Sequence, residues 1–207
     1  MAVVNALEAK NLFKVFGRSP KQAVSRLKAG QSRADVVDAG TAAVIDASFT
    51  VQRGEIFVIM GLSGSGKSTI IRMLNGLLEP TAGEVIVQGQ NVTKASAAEL
   101  RAIRRASVSM VFQHFALLPH RTVIDNAAYA LEVQGIATPA RLRRAREIPE
   151  KVGLGDRADA YPDELSGGMR QRVGLARALT AGTDILLMDE AFSALDPLIR
   201  REMQEQL

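Results

Sequence analysis

The sequence predicts an α/β fold, in which a mostly parallel sheet is flanked by helices and accompanied by an antiparallel β edge region and an inserted helical subdomain. Three observations support this prediction. A glycine-rich turn follows the apolar stretch 55–60 and precedes a helical pattern. A second apolar run, 185–188, ends in two acidic residues, as buried parallel strands often do at a ligand site. Between these two strands, residues 92–164 are mostly helical and polar.

Composition limits the class of protein. With 207 residues, of which 47% are hydrophobic, the chain can build one substantial core, or a core and a small subdomain. It has no cysteine, which excludes disulfides and thiolate metal sites. No apolar run is long enough to span a bilayer and the N-terminus is not a signal peptide, so we expect a soluble cytoplasmic protein or one peripheral to a membrane.

The net charge of +4 includes two arginine clusters, at 101–105 and 141–146. A surface that binds nucleic acid or lipid is one interpretation of these clusters. Because no aromatic residues are interleaved with the arginines, a solvated helix face is favoured.

The first part of the chain predicts mainly strands. Residues 3–16 alternate between polar and apolar, which indicates an edge strand or a hairpin arm. The polar segment 18–41 has a short helical pattern but no core-forming face, and we interpret it as an insertion. Alternation returns over 43–51, the stretch 55–60 predicts a buried strand, and a further strand is expected over 84–87.

The later part of the chain predicts mainly helices. Ser96 and Glu99 form a capping-box pattern at the start of one helix. A short strand is expected over 107–112. Threonines stand at the start of the two following helices, 122–134 and 138–152.

The glycine-rich turn matches the pattern G-x-x-x-x-G-K-[ST], in the strand-to-helix context that this motif requires. Glycines let the backbone N–H groups point inward as a nest for anions, and the helix N-terminus adds unpaired N–H groups. Lys67 brings its charge to the β- and γ-phosphates of a nucleoside triphosphate, and the Ser68 hydroxyl can bind Mg²⁺. The predicted nucleotide-binding residues of this turn are Gly61, Ser63, Gly64, Ser65, Gly66, Lys67, Ser68 and Thr69.

Two further patterns complete the predicted chemistry. Asp189 can hold Mg²⁺ opposite Ser68, and Glu190 can polarise a water molecule for attack on the γ-phosphate. Ser166 is a predicted N-cap, followed by two glycines, 167–168, whose N–H groups form a second anion-binding nest. A second nest in a chain that already has one predicts a head-to-tail homodimer, in which each copy contacts the nucleotide held by the other.

Five features of the sequence have the order and spacing found in ABC transporter ATPases, which the sequence resembles. They are the turn 61–69, Gln113, the segment 165–168, the strand 185–190 and the loop 193–196. The resemblance covers nearly all of the chain except the segment 18–41.

This resemblance implies ATP and Mg²⁺ as cofactors and assigns further roles. Phe16 would stack on adenine, and Gln113 would help to organise Mg²⁺ and the attacking water. Glu190 would be the general base. Asp196 would cross the dimer interface, and the nest residues Ser166, Gly167 and Gly168 would contact the γ-phosphate held by the partner.

Three segments make the family resemblance more specific, because they closely resemble the ATPase subunit of glycine betaine/proline importers. They are residues 111–120, 161–172 and 188–197. The resemblance implies an ATPase that drives uptake of such solutes through integral-membrane permease subunits. It would lie at the cytoplasmic face of the inner membrane and meet a substrate-binding protein only indirectly. No nucleic-acid partner is expected.

On this basis we expect an ATP-binding core over 1–91 and a helical subdomain over 92–164. The remaining part, 165–207, would contain the helix that starts at Ser166, the strand that ends in Asp189 and Glu190, and the following loop. The two histidines, at 114 and 120, lie near Gln113 and do not match the switch histidine of the family by position. We therefore expect a C-terminally truncated form that hydrolyses ATP poorly and leaves the stretch before the glycine-rich turn as an open apolar edge.

Two alternatives from other functional classes stay open. One is a soluble ABC-type ATPase that acts on nucleic acid, for which the arginine clusters are the only support. The other is a nucleotide-dependent binding module without hydrolysis. Measured ATP turnover would exclude the second, and salt-dependent binding to DNA or RNA would favour the first.

Overall fold

The structure is a computed structural model that describes residues 5–113, 115–190 and 201, without the side chains of residues 147–149 and 151. The chain divides into two compact units, Met1–Ser107 and Val108–Leu207. Each unit combines strands with helices, as the α/β prediction requires. The finer division into three segments stays a prediction.

An antiparallel sheet forms the centre of the first unit, with the strand order β2-β1-β3-β4. Its strands are β1 (Leu7–Phe16), β2 (Thr41–Val51), β3 (Ala82–Val87) and β4 (Gln90–Asn91). Leu7 lies opposite Val51 on one side and Val87 on the other. The antiparallel region is therefore present, but β1 is a central strand and the prediction of an edge strand is wrong. The alternation of polar and apolar residues within β1 cannot reveal that this strand has a second partner, because that partner, β3, is far away in sequence.

Three helices accompany this sheet: α1 (Pro20–Lys28), α2 (Lys67–Leu74) and α3 (Ala97–Ala106). The predicted capping box is present at the start of α3. The Ser96 hydroxyl accepts a hydrogen bond from the Glu99 N–H, and the Ser96 N–H donates to the Glu99 carboxylate at 2.8 Å. Hydrogen bonds to the Glu99 carboxylate from the side chain and the backbone of Ser96 lower the pKa of Glu99.

The segment 18–41 is better integrated than the sequence suggests. Val24 and Leu27 of α1 and Val36 of a short 3₁₀ turn are buried against Phe13 of β1 in one apolar cluster. The prediction that this segment lacks a core-forming face is therefore wrong. Its apolar residues are divided between a helix and a turn, and only packing on β1 brings them to one side.

The stretch 55–60 does not form the predicted buried strand. Ile56, Val58 and Met60 are 85%, 66% and 87% exposed. A strand requires the backbone of a neighbour, and no described residue forms a ladder with this stretch. The ring of Phe57 stacks on that of Phe49, with 4.8 Å between the centroids. The stretch is exposed and apolar, but it is not the open edge of a strand that the sequence predicts.

A parallel ladder and three helices form the second unit. The strands β5 (Val108–Val111) and β6 (Ile185–Met188) are paired in parallel, which confirms the predicted second strand. The helices are α4 (Val123–Val133), α5 (Thr138–Lys151) and α6 (Gly167–Thr180). Thr122 caps α4 by accepting a hydrogen bond from the Asp125 N–H at 3.3 Å, as its position predicts. None of the helices in the described part of the chain is long and apolar enough to cross a bilayer.

The core of the second unit lies between its helices and its short sheet. It includes Val123 and Ala127 of α4 and Val173 and Ala176 of α6, all of which are fully buried. These contacts hold α6 in place, and the segment 165–168 lies at the start of this helix.

Candidate nucleotide site

The glycine-rich turn leads directly into α2, and Gly66 is the N-cap of this helix. Gly66 has φ +96° and ψ 6°, which is the left-handed conformation, and no side chain caps the helix. A Cβ atom at Gly66 would also collide with the carbonyl oxygen of Ala43 in β2. Glycine is therefore required twice here, once for its backbone angles and once for the close approach to β2.

Lys67 is positioned by its own loop. Its ammonium group donates hydrogen bonds to the carbonyl oxygens of Gly61 and Leu62, each at 2.9 Å. A lysine ammonium group has three N–H donors, so this arrangement holds the charge at the turn and uses two of them. The third can meet an anion that binds at the turn.

Phe16 is the last residue of β1 and presents a ring to solvent. It is 45% exposed and lies opposite Thr41 of β2. The Lys14 ammonium group is 5.1 Å from the centroid of the ring. An accessible ring of this kind can stack on a planar base.

In the second unit, the acidic pair follows β6 directly. Asp189 is 1% exposed, and its backbone N–H donates to the carbonyl oxygen of Val111 at 3.0 Å. Glu190 is exposed and has a left-handed backbone, with φ +50°. Its carboxylate accepts a hydrogen bond from the Gln113 side chain at 2.9 Å. The structure therefore brings Gln113 and Glu190 together across 77 positions of sequence.

Gln171 was missed by the reasoning from sequence. Its side chain is 2% exposed, and its amide donates to the carbonyl oxygen of Glu190 at 3.4 Å. Gln171 shares one face of α6 with the buried Leu175 and Ala178. A polar residue within an apolar helical stripe was the signal that could have found it.

Ser166 caps α6 as predicted. Its hydroxyl accepts a hydrogen bond from the Met169 N–H at 3.3 Å. A Cβ atom added to Gly167 would meet open space, so this turn faces an accessible region. Arg170 steadies the approach to the turn by donating to the carbonyl oxygens of Pro162 at 3.2 Å and Leu165 at 2.9 Å.

A second arginine of α6 holds the segment that follows Gln113. Phe115 and Ala116 have left-handed backbones, with φ +56° and +48°. Arg177 donates to their carbonyl oxygens at 3.0 Å and 2.6 Å. Burial lowers the pKa of Arg177. This contact was not anticipated from sequence, because it depends on the unusual course of the chain after β5.

The site residues are divided between the two units. The first unit contains Phe16, Gly61, Ser63, Gly64, Ser65, Gly66, Lys67, Ser68 and Thr69, and the second contains Gln113, Ser166, Gly167, Gly168, Asp189 and Glu190. Asp196 and the rest of the loop 193–196 lie outside the described residues, as does His114. His120 is exposed.

These features define an ATP-binding-cassette fold, and comparison with known proteins supports the same class. The ABC transporter family matches residues 44–193, so the chain belongs to this family. Among solved structures, the dimeric ATP-binding cassette MJ0796 in a post-hydrolysis state bound to ADP and Pi superposes with a TM-score of 0.83. It is 29% identical in sequence, and the match covers 97% of this chain and 80% of that one. The prediction of an ABC ATPase fold is confirmed.

Curated relatives narrow the similarity further. The chain is 57% identical to the glycine betaine/proline betaine transport system ATP-binding protein ProV of Salmonella typhimurium, over 97% of this chain and 51% of that protein. It is 54% identical to the glycine betaine transport ATP-binding protein OpuAA of Bacillus subtilis, over 97% of this chain and 49% of that protein. The chain thus spans about half the length of the curated relatives it matches.

Proposed function

We propose that the chain is the ATP-binding part of an ABC importer subunit, which hydrolyses ATP to drive uptake of glycine betaine/proline-type solutes through a membrane permease. The single observation that carries the catalytic part is the 2.9 Å hydrogen bond between Gln113 and Glu190, beside the buried carboxylate of Asp189. The names of the relatives support the solute class.

The nucleotide would be held by the first unit. Adenine stacks on the exposed ring of Phe16, and the phosphates sit at the turn 61–66, where the backbone N–H groups and the start of α2 favour an anion. Because Gly66 brings no side chain that could cap the helix, no N-cap side chain competes with phosphate oxygens for its first amides. Lys67 adds a full positive charge at the same turn.

Mg²⁺ would be held by oxygen donors of the kind this ion prefers, which Ser68 carries in the first unit and Gln113 and Asp189 carry in the second. In the described part of the chain, no three His, Cys, Asp or Glu side chains are placed so that together they could hold a metal ion. Mg²⁺ needs no such group, because it keeps several water molecules and binds phosphate oxygens of the substrate. When bound, the ion neutralises charge that develops on the phosphates.

Glu190 would act as the general base. Gln113 donates to one oxygen of its carboxylate, so the other oxygen can accept a proton from the attacking water. The backbone of Glu190 is held by the buried amide of Gln171. These two contacts orient the carboxylate at the end of β6, beside Asp189.

A second copy would complete each site. Ser166 and the glycines 167–168 would contact the γ-phosphate of the nucleotide held by the partner, and Asp196 would cross the dimer interface. Hydrolysis would reopen this head-to-tail dimer, and the segment after Gln113 would pass the motion to the permease at the cytoplasmic face of the membrane. A substrate-binding protein would be coupled only through the permease.

The test compares ATP binding and ATP turnover of the wild-type chain with those of Lys67→Ala and Glu190→Gln. We expect Lys67→Ala to lose binding and turnover together, whereas Glu190→Gln keeps binding, loses turnover and forms an ATP-dependent dimer. A monomer of Glu190→Gln at saturating ATP would contradict the dimer.

Other outcomes favour the alternatives. ATP binding without turnover by the complete transporter subunit would favour a non-hydrolysing module. Turnover that depends on DNA or RNA, with salt-dependent binding, would favour an ATPase that acts on nucleic acid. The solute class is tested by uptake of labelled glycine betaine in cells that carry the complete transporter, with Glu190→Gln in this subunit as the control.

A further inference from the structure

The segment 18–39 forms a closed loop beside the ring of Phe16. The backbones of Gly17 and Gly40 lie in close contact where this loop begins and ends. A Cβ atom on either residue would therefore collide with the backbone of the other segment. The Ser19 N–H donates to the Ala39 carbonyl oxygen at 3.1 Å. The loop therefore leaves the sheet directly after Phe16, the residue proposed to stack on adenine, and returns to the sheet beside this residue.

Arg26 holds the far part of this loop in one conformation. Its guanidinium group donates to the Gln31 side chain at 2.7 Å, to both carboxylate oxygens of Asp38 at 2.9 Å and to the Asp35 carbonyl oxygen. The hydrogen bond from Arg26 lowers the pKa of Asp38. Arg33 thus projects from a turn whose backbone is fixed on both sides.

Arg33 reaches the same atom of β2 that the glycine-rich turn touches. Its Nη2 atom donates to the Ala43 carbonyl oxygen at 3.3 Å. The collision that a Cβ atom at Gly66 would cause is with this same oxygen. Two residues before Ala43, Thr41 is paired with Phe16. The guanidinium group of Arg33 therefore lies beside Gly66 at the N-terminus of α2, two residues along β2 from the position that is paired with Phe16.

The position and charge of Arg33 suit an anionic ligand. Arg26 is neutralised by Asp38, whereas the ion pairs in the described part of the chain do not include Arg33. Its side chain is exposed and makes a single hydrogen bond to a neutral carbonyl group among the described residues. A guanidinium group has five N–H donors and binds phosphate in a planar, bidentate way.

We infer that Arg33 is an additional nucleotide-binding residue, whose guanidinium group contacts the phosphate nearest the ribose of ATP or ADP. The inference rests on the proposed nucleotide site. With adenine at Phe16 and the terminal phosphates at Lys67 and Gly66, the α-phosphate is the anionic group that lies between them. The segment 18–39 thereby contributes directly to nucleotide affinity.

The experiment measures the affinity of the 207-residue chain for ATP, ADP and adenosine by calorimetry. Arg33→Ala and Arg33→Gln are compared with Lys21→Ala, which removes one exposed positive charge from α1 in the same segment. We expect Arg33→Ala and Arg33→Gln to bind ATP and ADP about fivefold more weakly, as for an exposed charge pair of about 1 kcal/mol. Adenosine binding and Lys21→Ala should be unchanged.

Three results would overturn the inference. Arg33→Ala could behave like Lys21→Ala, or it could weaken adenosine as much as ATP, which would indicate an effect on the base pocket. Arg33→Gln, which keeps a donor for Ala43, could restore full ATP affinity and so assign a structural role. Lys67→Ala separates the two proposals: if it leaves ATP affinity intact, the proposed nucleotide site itself is wrong, whatever Arg33 does.

Discussion

The helices α2 and α6 both begin at turns that the sequence predicts to bind phosphate, but their first amides are satisfied differently. At α2 the N-cap is Gly66, which has a left-handed backbone and no capping side chain. At α6 the N-cap is Ser166, which has an extended backbone and accepts a hydrogen bond from the Met169 N–H. No side chain caps the α2 turn, whereas at the α6 turn Ser166 already satisfies one amide, that of Met169.

The packing of the two helices differs in the same sense. Helix α2 has 8 residues, of which only Met73 and Leu74 are buried. Helix α6 has 14 residues, and half of them are buried in the core of its unit. The α6 turn is therefore built in advance of any ligand. The α2 turn depends on glycine backbone geometry and is completed when an anion satisfies its amides.

The largest effect is expected from Gly66→Ala, with Gly64→Ala as its matched control. Both glycines have positive φ, so both substitutions incur the left-handed strain of about 1–2 kcal/mol. Only Gly66→Ala adds a collision with Ala43, because a Cβ atom at Gly64 meets nothing within 4 Å. Chemical unfolding without nucleotide should show a clearly larger loss of stability for Gly66→Ala. Equal losses would show that the close approach to β2 does not matter.

Arg177→Met tests whether this buried side chain holds the segment that follows Gln113. The substitution leaves the carbonyl oxygens of Phe115 and Ala116 without their donor, which should cost about 2–3 kcal/mol of unfolding free energy. Arg177→Lys keeps the charge but cannot reach both oxygens in the same fork, so an intermediate loss is expected. A neutral result for Arg177→Met would place the support of this segment elsewhere.

Ser166 separates capping from ligand binding. Ser166→Ala removes the cap of α6 and should lower the unfolding free energy by about 1 kcal/mol. Ser166→Asp keeps an acceptor for the Met169 N–H and should unfold like the wild type. The negative charge of Ser166→Asp would face the phosphates held by the partner, so this variant should lose ATP-dependent dimerisation. Size exclusion in a Glu190→Gln background measures dimerisation of Ser166→Ala and Ser166→Asp. Dimerisation of Ser166→Asp would contradict the proposed role of this turn.

The smallest effect is expected at the ion network beside α4. Arg121 donates to both carboxylate oxygens of Glu132, at 2.9 and 3.1 Å, and Arg141 approaches at 3.0 Å. The hydrogen bonds from Arg121 lower the pKa of Glu132, so the stabilisation is present above the pKa of a free glutamate and is lost as pH falls through the folded pKa.

Thermal unfolding of Glu132→Gln should therefore differ from the wild type at pH 7, and the difference should shrink below about pH 4. The exposed Asp159, changed to Asn, is the control and should show no such trend. A difference that is constant with pH would assign Glu132 a role in packing only.

The sequence determined the features that a short stretch of backbone can specify. The turn before α2, the caps at Ser96, Thr122 and Ser166 and the acidic end of β6 each depend on residues a few positions apart. A capping side chain meets amides within its own turn, so the pattern and the geometry coincide. The family could be recognised for the same reason, since its motifs are local.

Tertiary structure decided what depends on distant partners. The hydrogen bond between Gln113 and Glu190 forms only because β5 and β6 are paired in parallel. Burial of the segment 18–41, and with it the position of Arg33, depends on packing against β1. The stretch 55–60 has the composition of a buried strand, yet a strand exists only where another backbone satisfies its hydrogen bonds, and composition cannot supply that neighbour.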